Sequence, residues 1–172
     1  SDLIVVKRPS SNSDIMETLN LNTALFDTGR PVLVTQPLGT DLALNSILIG
    51  CHVGIYWNGS PQSARAISSA MDLIKKAKKV TILTAEGDRV SSARTRELIT
   101  YLEWHGIAAV ARDFIPKVGL SIGAALLAEC MSSNVSLLIM GAYTQSKVRQ
   151  LILGGVTRYI LENSQLPLFM SH

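Results

Sequence analysis

The sequence predicts an α/β fold: a doubly wound, parallel, five-stranded sheet preceded by a partial strand–helix–strand repeat. Two observations carry this. Short apolar runs such as Val80-Thr-Ile-Leu-Thr-Ala85 and Ser136-Leu-Leu-Ile-Met140 alternate with stretches of helical periodicity, the pattern of parallel strands covered on both faces. The start of the chain also repeats its end: Asp2-Leu-Ile-Val-Val6 aligns with Ser136-Leu-Leu-Ile-Met140, and Arg30-Pro-Val-Leu-Val-Thr35 with Leu166-Pro-Leu-Phe-Met-Ser171.

Residues 1–36 form the partial repeat. Between its strands, Asp14 to Thr28 reads as a helix that Ser13 or Asp14 can cap. Ile15, Leu19, Ala24 and Leu25 face the sheet, and Gly29 ends the helix. Internal repetition points to a tandem-domain protein, with the first repeat incomplete through truncation, proteolysis or a shortened gene. An uncovered strand edge invites pairing. The strand Pro31 to Thr35 is therefore expected to run against the strand at Pro167, in the same or a neighbouring molecule. Residues 37–50 read as a linker with a Pro/Gly start and an apolar second half.

The complete domain occupies residues 51–172. His52 to Trp57 is its first strand, closed by the turn Asn58-Gly-Ser-Pro61. Ser60 suits an N-cap and Pro61 the first helical position. That helix runs to about Ala77 with Ala64, Ile67, Met71 and Ile74 on one face. Lys75, Lys76, Lys78 and Lys79 then complement its dipole. Val80 to Ala85 is the second strand, followed by a helix capped by Ser91 or Ser92 and stopped at Gly106. Ile107 to Phe114, a small-residue helix Ser121 to Ser132, the strand ending at Met140, a helix from Gly155 to Asn163 and a strand at Pro167 complete it.

With 172 residues, 47% hydrophobic and 17% charged, a well-filled core is expected rather than disorder. A net charge of +3, spread along the chain, is too mild to argue for a nucleic-acid groove. Cys51 and Cys130 sit in no Cys/His cluster, so two free, buried thiols in a reducing compartment are expected and a metal site is not. No run approaches the ~18 apolar residues that cross a bilayer, and no basic-then-apolar leader opens the chain. No membrane partner and a cytoplasmic location are the expectation. His52, His105 and His172 pair with no Ser or Cys nucleophile by spacing, and no phosphate-loop or dinucleotide fingerprint is present. No enzyme activity is expected. Trp57 and Trp104 are expected to pack.

One stretch is suited to anions: Gly141-Ala-Tyr-Thr-Gln-Ser-Lys-Val-Arg-Gln-Leu-Ile-Leu-Gly-Gly-Val-Thr157. Glycines let a backbone approach phosphate closely, helix-start N–H groups donate, and Lys147 and Arg149 add positive charge. In a doubly wound sheet, ligands bind beyond the strand carboxyl ends where the strand order reverses.

The same stretch resembles the Gly-x2-Gly-x9-Gly-Ser/Thr signature of the universal stress protein family. Gly141 and Gly154 match it; Thr144 stands at the second glycine and Gly155 at the Ser/Thr position. Leu138-Ile-Met-Gly-Ala-Tyr143 and Leu153-Gly-Gly-Val-Thr-Arg158 are similar to family sequence too. The resemblance implies the strand order 3-2-1-4-5 and a cleft between strands one and four. It implies a stress-response protein binding ATP, with magnesium, or a related adenine nucleotide as a regulatory ligand. The implied contacts are Asn58, Gly59, Ser60, Ala85, Gly141, Tyr143, Thr144, Lys147, Arg149, Gly154, Gly155, Val156 and Thr157. Nucleotide-binding relatives carry Asp where Asn58 stands; asparagine still accepts a hydrogen bond through one oxygen but lacks the charge and bidentate acceptance, and Asn58-Gly59 alternatively only makes the turn. In the first repeat Lys7, Ser10 and Thr18-Leu19 replace the signature, so that copy should not bind nucleotide. The resemblance also implies a homodimer through the last strand, Pro167 to Ser171, or pairing of that strand with Pro31 to Thr35. The alternative function is a dimerising interaction module without nucleotide. An adenylating enzyme needs a longer glycine-rich loop than Asn58-Gly-Ser60 supplies.

Overall fold

The computed structural model describes residues 3–8, 15–35, 51–88, 90–142 and 155–172. The elements are β1 (Ile4–Lys7), α1 (Ile15–Phe26), β2 (Val32–Thr35), β3 (His52–Tyr56), α2 (Pro61–Ser69), α3 (Met71–Lys75), β4 (Lys79–Ala85), α4 (Ser92–Trp104), β5 (Ala109–Phe114), α5 (Ile122–Ser132), β6 (Leu137–Gly141), α6 (Gly155–Asn163) and β7 (Leu168–Ser171). One seven-stranded sheet runs β1-β2-β7-β6-β3-β4-β5. Its last five strands are parallel neighbours in the order expected, 3-2-1-4-5 when counted from β3. The linker 37–50 lies outside the described residues.

Serine starts three helices for one reason. A helix leaves its first N–H groups without internal partners. Ser60 Oγ takes Ser63 N at 3.1 Å, Ser91 Oγ takes Arg94 N at 3.4 Å, and Ser121 Oγ takes Ala124 N at 3.2 Å. Each such cap stabilises its helix by about 1 kcal/mol. The helix expected to run from Pro61 to Ala77 instead breaks at Ala70, whose φ of −91° and ψ of 5° separate α2 from α3. The break keeps Ala70 and Ile74 inward together with Ser63, Ala66 and Ile67, whereas Ala64 is exposed.

Alternation along the buried strands divides the core. Val53, Ile55, Val80, Ile82, Leu137, Ile139 and Phe169 share a face with α2, α3 and α4. Tyr56, Leu83, Leu138, Met140, Leu168 and Met170 share the other with α1, α5 and α6. Trp57 packs at the edge of the first cluster, but Trp104 is 81% exposed because it ends α4 on the outward side. Cys51 and Cys130 are free and buried.

β1 and β2 extend the sheet past β7. They are parallel to each other, but β2 runs antiparallel to β7 through Val32↔Met170, Leu33↔Phe169 and Val34↔Leu168. Under the alignment of the repeat, Leu33 is equivalent to Phe169 and the outer pairs exchange equivalents. The seam therefore has local two-fold character, as an isologous interface has. Of the two pairings expected for the last strand, the one with Pro31 to Thr35 is seen. Arg8 ties the seam further: its buried guanidinium donates from Nη2 to Leu166 O at 2.8 Å, and burial lowers its pKa.

Two consequences can be measured. Phe169 is 2% exposed at the centre of the seam, so Phe169→Ala should cost roughly 3–5 kcal/mol in urea unfolding. His52 Nε2 lies 2.8 Å from Thr81 Oγ1, and burial, then Lys79, hold its pKa below the ordinary 6.5. The unfolded chain therefore takes up a proton first as pH falls, and stability drops below about pH 6.5 towards the folded value. His52→Gln should flatten that part of the stability–pH curve.

Candidate functional site

The chain reverses direction across the sheet between β3 and β6. From β3 it proceeds through α2 towards β4; from β6 it proceeds through α6 towards β7. Ligands of doubly wound sheets bind beyond the carboxyl ends of the two strands at such a switch point. Gly141, the last residue of β6, packs directly on the first turn of α2. A Cβ there would lie 2.5 Å from Ser63 N and 2.8 Å from Gln62 C, both backbone atoms of α2. The sequence reading gave this glycine to phosphate approach; its absent side chain is first required by contact with α2.

On the β3 side the loop satisfies itself. Asn58 Oδ1 accepts from Ser60 N at 3.2 Å, which is the turn-making alternative for Asn58. Gly59 has φ +69°, and Val90 Cγ2 would stand 3.0 Å from an added Cβ. This pins the loop after β4 over the turn. Ser60 serves as the α2 cap.

At the next strand, Ala85 closes β4. Its N–H donates to Asp88 Oδ2 at 3.3 Å, and Tyr56 Oη donates to the same carboxylate, 3.2 Å from Oδ1 and 3.0 Å from Oδ2. Asp88 N returns to Ala85 O at 3.1 Å. Burial pushes the Asp88 carboxyl up, while the bonds from Tyr56 and Ala85 pull it down. The Tyr56 phenol is pushed up by burial first and by the Asp88 charge second. Neither residue was singled out from sequence: Tyr56 obeys the strand alternation and Asp88 sits in an ordinary Gly-Asp turn.

Beyond β6, α6 begins at Gly155, which is exposed with nothing within 4 Å of an added Cβ. Val156 is half-buried and Thr157 is buried. Gly123 fixes the height of this helix, since a Cβ there would meet Tyr159 Cβ at 2.9 Å. Tyr143, Thr144, Lys147, Arg149 and Gly154 lie outside the described residues. His172, from the end of β7, places Nδ1 3.1 Å from Ala142 O and its ring edge-on to Phe26 at 4.7 Å.

Cavities lie on the α4 side of the sheet. One of about 610 Å³ runs under the loop after β4, lined by Thr84, Asp88, Thr95, Arg96, Asp113 and Ile115 among others. Another of about 330 Å³ lies between α2 and α4 beside Trp57 and Tyr101. Among the described residues, no group of three His, Cys, Asp or Glu side chains could hold a metal ion, and no helix is long and apolar enough to cross a membrane. His52 bonds Thr81 and His105 packs its ring against Tyr101.

The packing role of Gly141 is testable. Gly141→Ala must displace α2 backbone, and overpacking of this kind costs roughly 1–3 kcal/mol. Gly155→Ala meets open space and should leave the melting temperature unchanged or raise it slightly, alanine being the better helix former.

No family model matches the chain, and no curated protein matches its sequence. Solved structures do. A universal stress protein from Archaeoglobus fulgidus DSM 4304 aligns over 99% of this chain at a TM-score of 0.75 and 19% identity. The chain spans only 62% of that protein's length, and the alignment takes in β1, α1 and β2. A universal stress protein from Lactobacillus plantarum aligns over 72% of this chain and 99% of its own, with TM-score 0.58 and 9% identity. A universal stress protein described in complex with cAMP aligns over 71% of this chain and 97% of its own, with TM-score 0.52 and 18% identity. At these identities the likeness is one of architecture, and it is complete from β1 to β7: the chain has the universal stress protein fold.

Proposed function

We propose that this chain is a universal stress protein that binds ATP or a related adenine nucleotide, without turning it over, as a regulatory ligand in stress response. The observation that carries the proposal is the start of α6, the helix that follows β6, where Gly155 is exposed and an added Cβ would meet no described atom within 4 Å. Backbone donors and a positive dipole end there suit a phosphate. Lys147 and Arg149 add charge in the preceding loop, and magnesium would share the phosphate oxygens. A protein of the same fold described in complex with cAMP supports the ligand class. Asn58 is committed to its turn and Gly141 to α2, so affinity is weak.

Support for a tandem arrangement comes from the β2–β7 seam, where two equivalent strand–helix–strand units meet in register. Homodimerisation belongs to the same proposal, at a surface other than the β7 edge that β2 fills. A second reading, an interaction module without nucleotide, is favoured by the committed donors at Ser60 and Ala85 and by exposed Val110, Ile115 and Val118 around β5.

Calorimetric titration with ATP and magnesium decides between them. Saturable weak binding is expected, tightened by Asn58→Asp and by Thr144→Gly. No heat at millimolar nucleotide, in the native chain and in both variants, would leave the interaction module standing.

A further inference from the structure

We propose that the cavity between α2 and α4 is a binding site for a small zwitterion, an α-amino acid with a large apolar side chain. It is built from residues that the nucleotide reading does not use, and it stands or falls independently of that reading.

The cavity holds about 330 Å³, the small end of the roughly 300–1,000 Å³ typical of ligand pockets. It is bounded by Trp57, the residue after β3, and by two helices. Arg94, Glu97, Leu98 and Tyr101 stand at positions i, i+3, i+4 and i+7 of α4, so they share one helix face. α2 faces them with Ile67 and with Ala64, whose side chain is a single methyl.

Polar groups here lack partners. Trp57 Nε1 is buried and makes no hydrogen bond, and a buried donor left without an acceptor is costly. Arg94 and Glu97 are exposed at the rim. The ion pairs among the described residues are Arg112–Glu129 and Arg158–Glu162, so Arg94 and Glu97 pair neither with each other nor elsewhere. A ligand matched to this rim carries both charges: a carboxylate for the Arg94 guanidinium and an ammonium for Glu97, one helical turn away. Its body is apolar, since Ile67, Leu98 and two aromatic rings line the space. A simple acid would satisfy Arg94 but set a like charge against Glu97; a simple amine would do the reverse. The Trp57 indole adds a neutral donor for an oxygen of the ligand.

The test is titration of the full chain with L-phenylalanine, followed through the indole N–H resonances of its two tryptophans. Trp104→Phe, at a position 81% exposed, identifies the Trp57 signal. A saturable downfield movement of that signal is expected as its N–H gains an acceptor. Hydrocinnamate, which lacks the ammonium, and phenethylamine, which lacks the carboxylate, should each bind roughly fivefold more weakly, the worth of one ion pair near the surface. Arg94→Gln should cost phenylalanine the same factor without weakening phenethylamine. Glu97→Gln should likewise weaken phenylalanine but not hydrocinnamate. Both are surface changes of the kind that leave stability nearly unchanged. A Trp57 signal that stays fixed at tens of millimolar phenylalanine would overturn the inference. So would a ligand of one charge binding as tightly as phenylalanine, or an affinity that neither variant alters, since the cavity would then be an apolar groove without charge selection.

Discussion

The close approach of Gly141 to the first turn of α2 is the constraint on which the switch point depends. A side chain at the end of β6 would hold α2 away from the sheet. Hydrogen at Cα lets β6 end against Ser63 N, which is itself held by the Ser60 cap. The turn at Asn58 is then fixed by its own side chain, and Val90 over Gly59 brings the β4 loop down beside it. The end of β6, the turn after β3 and the loop after β4 are thus held together through contacts of backbone and small side chains.

At the other end of the sheet, two equivalent units meet at β2 and β7. Parallel strand pairs normally need helices on both faces. β1 has one face covered by α1, through Ile4 and Val6, and leaves Val5 55% exposed on the other. The carboxyl ends of β1 and β2 point opposite to those of β3 to β7. Lys7, a replaced signature position at the end of β1, lies at the edge strand of the sheet, with β2, β7 and β6 between it and β3. Arg8 instead serves the seam, where its buried charge is bonded to Leu166 O.

Much of the architecture was legible in the sequence because strand runs, serine caps and repeated ends each have a local physical cause. The order of strands, and the pairing of Pro31 to Thr35 with the last strand, followed from resemblance and from the cost of an uncovered edge. The break at Ala70 and the exposure of Trp104 were not legible, since both depend on how one helix end meets its surroundings. The site was legible only in outline. Glycine at 141 was right in place but is required first by packing, a distinction that needs the position of α2. Asp88 left no trace, because its role depends on Tyr56, which is remote in sequence and brought near by β3–β4 pairing.

The proposed function places the phosphates of an adenine nucleotide at the start of α6. Amide chemical-shift mapping during ATP titration tests it most directly. Shifts at Gly155, Val156 and Thr157 are expected. Shifts confined to the cavity under α4, around Thr95, Arg96 and Asp113, or no shifts at all, would contradict it.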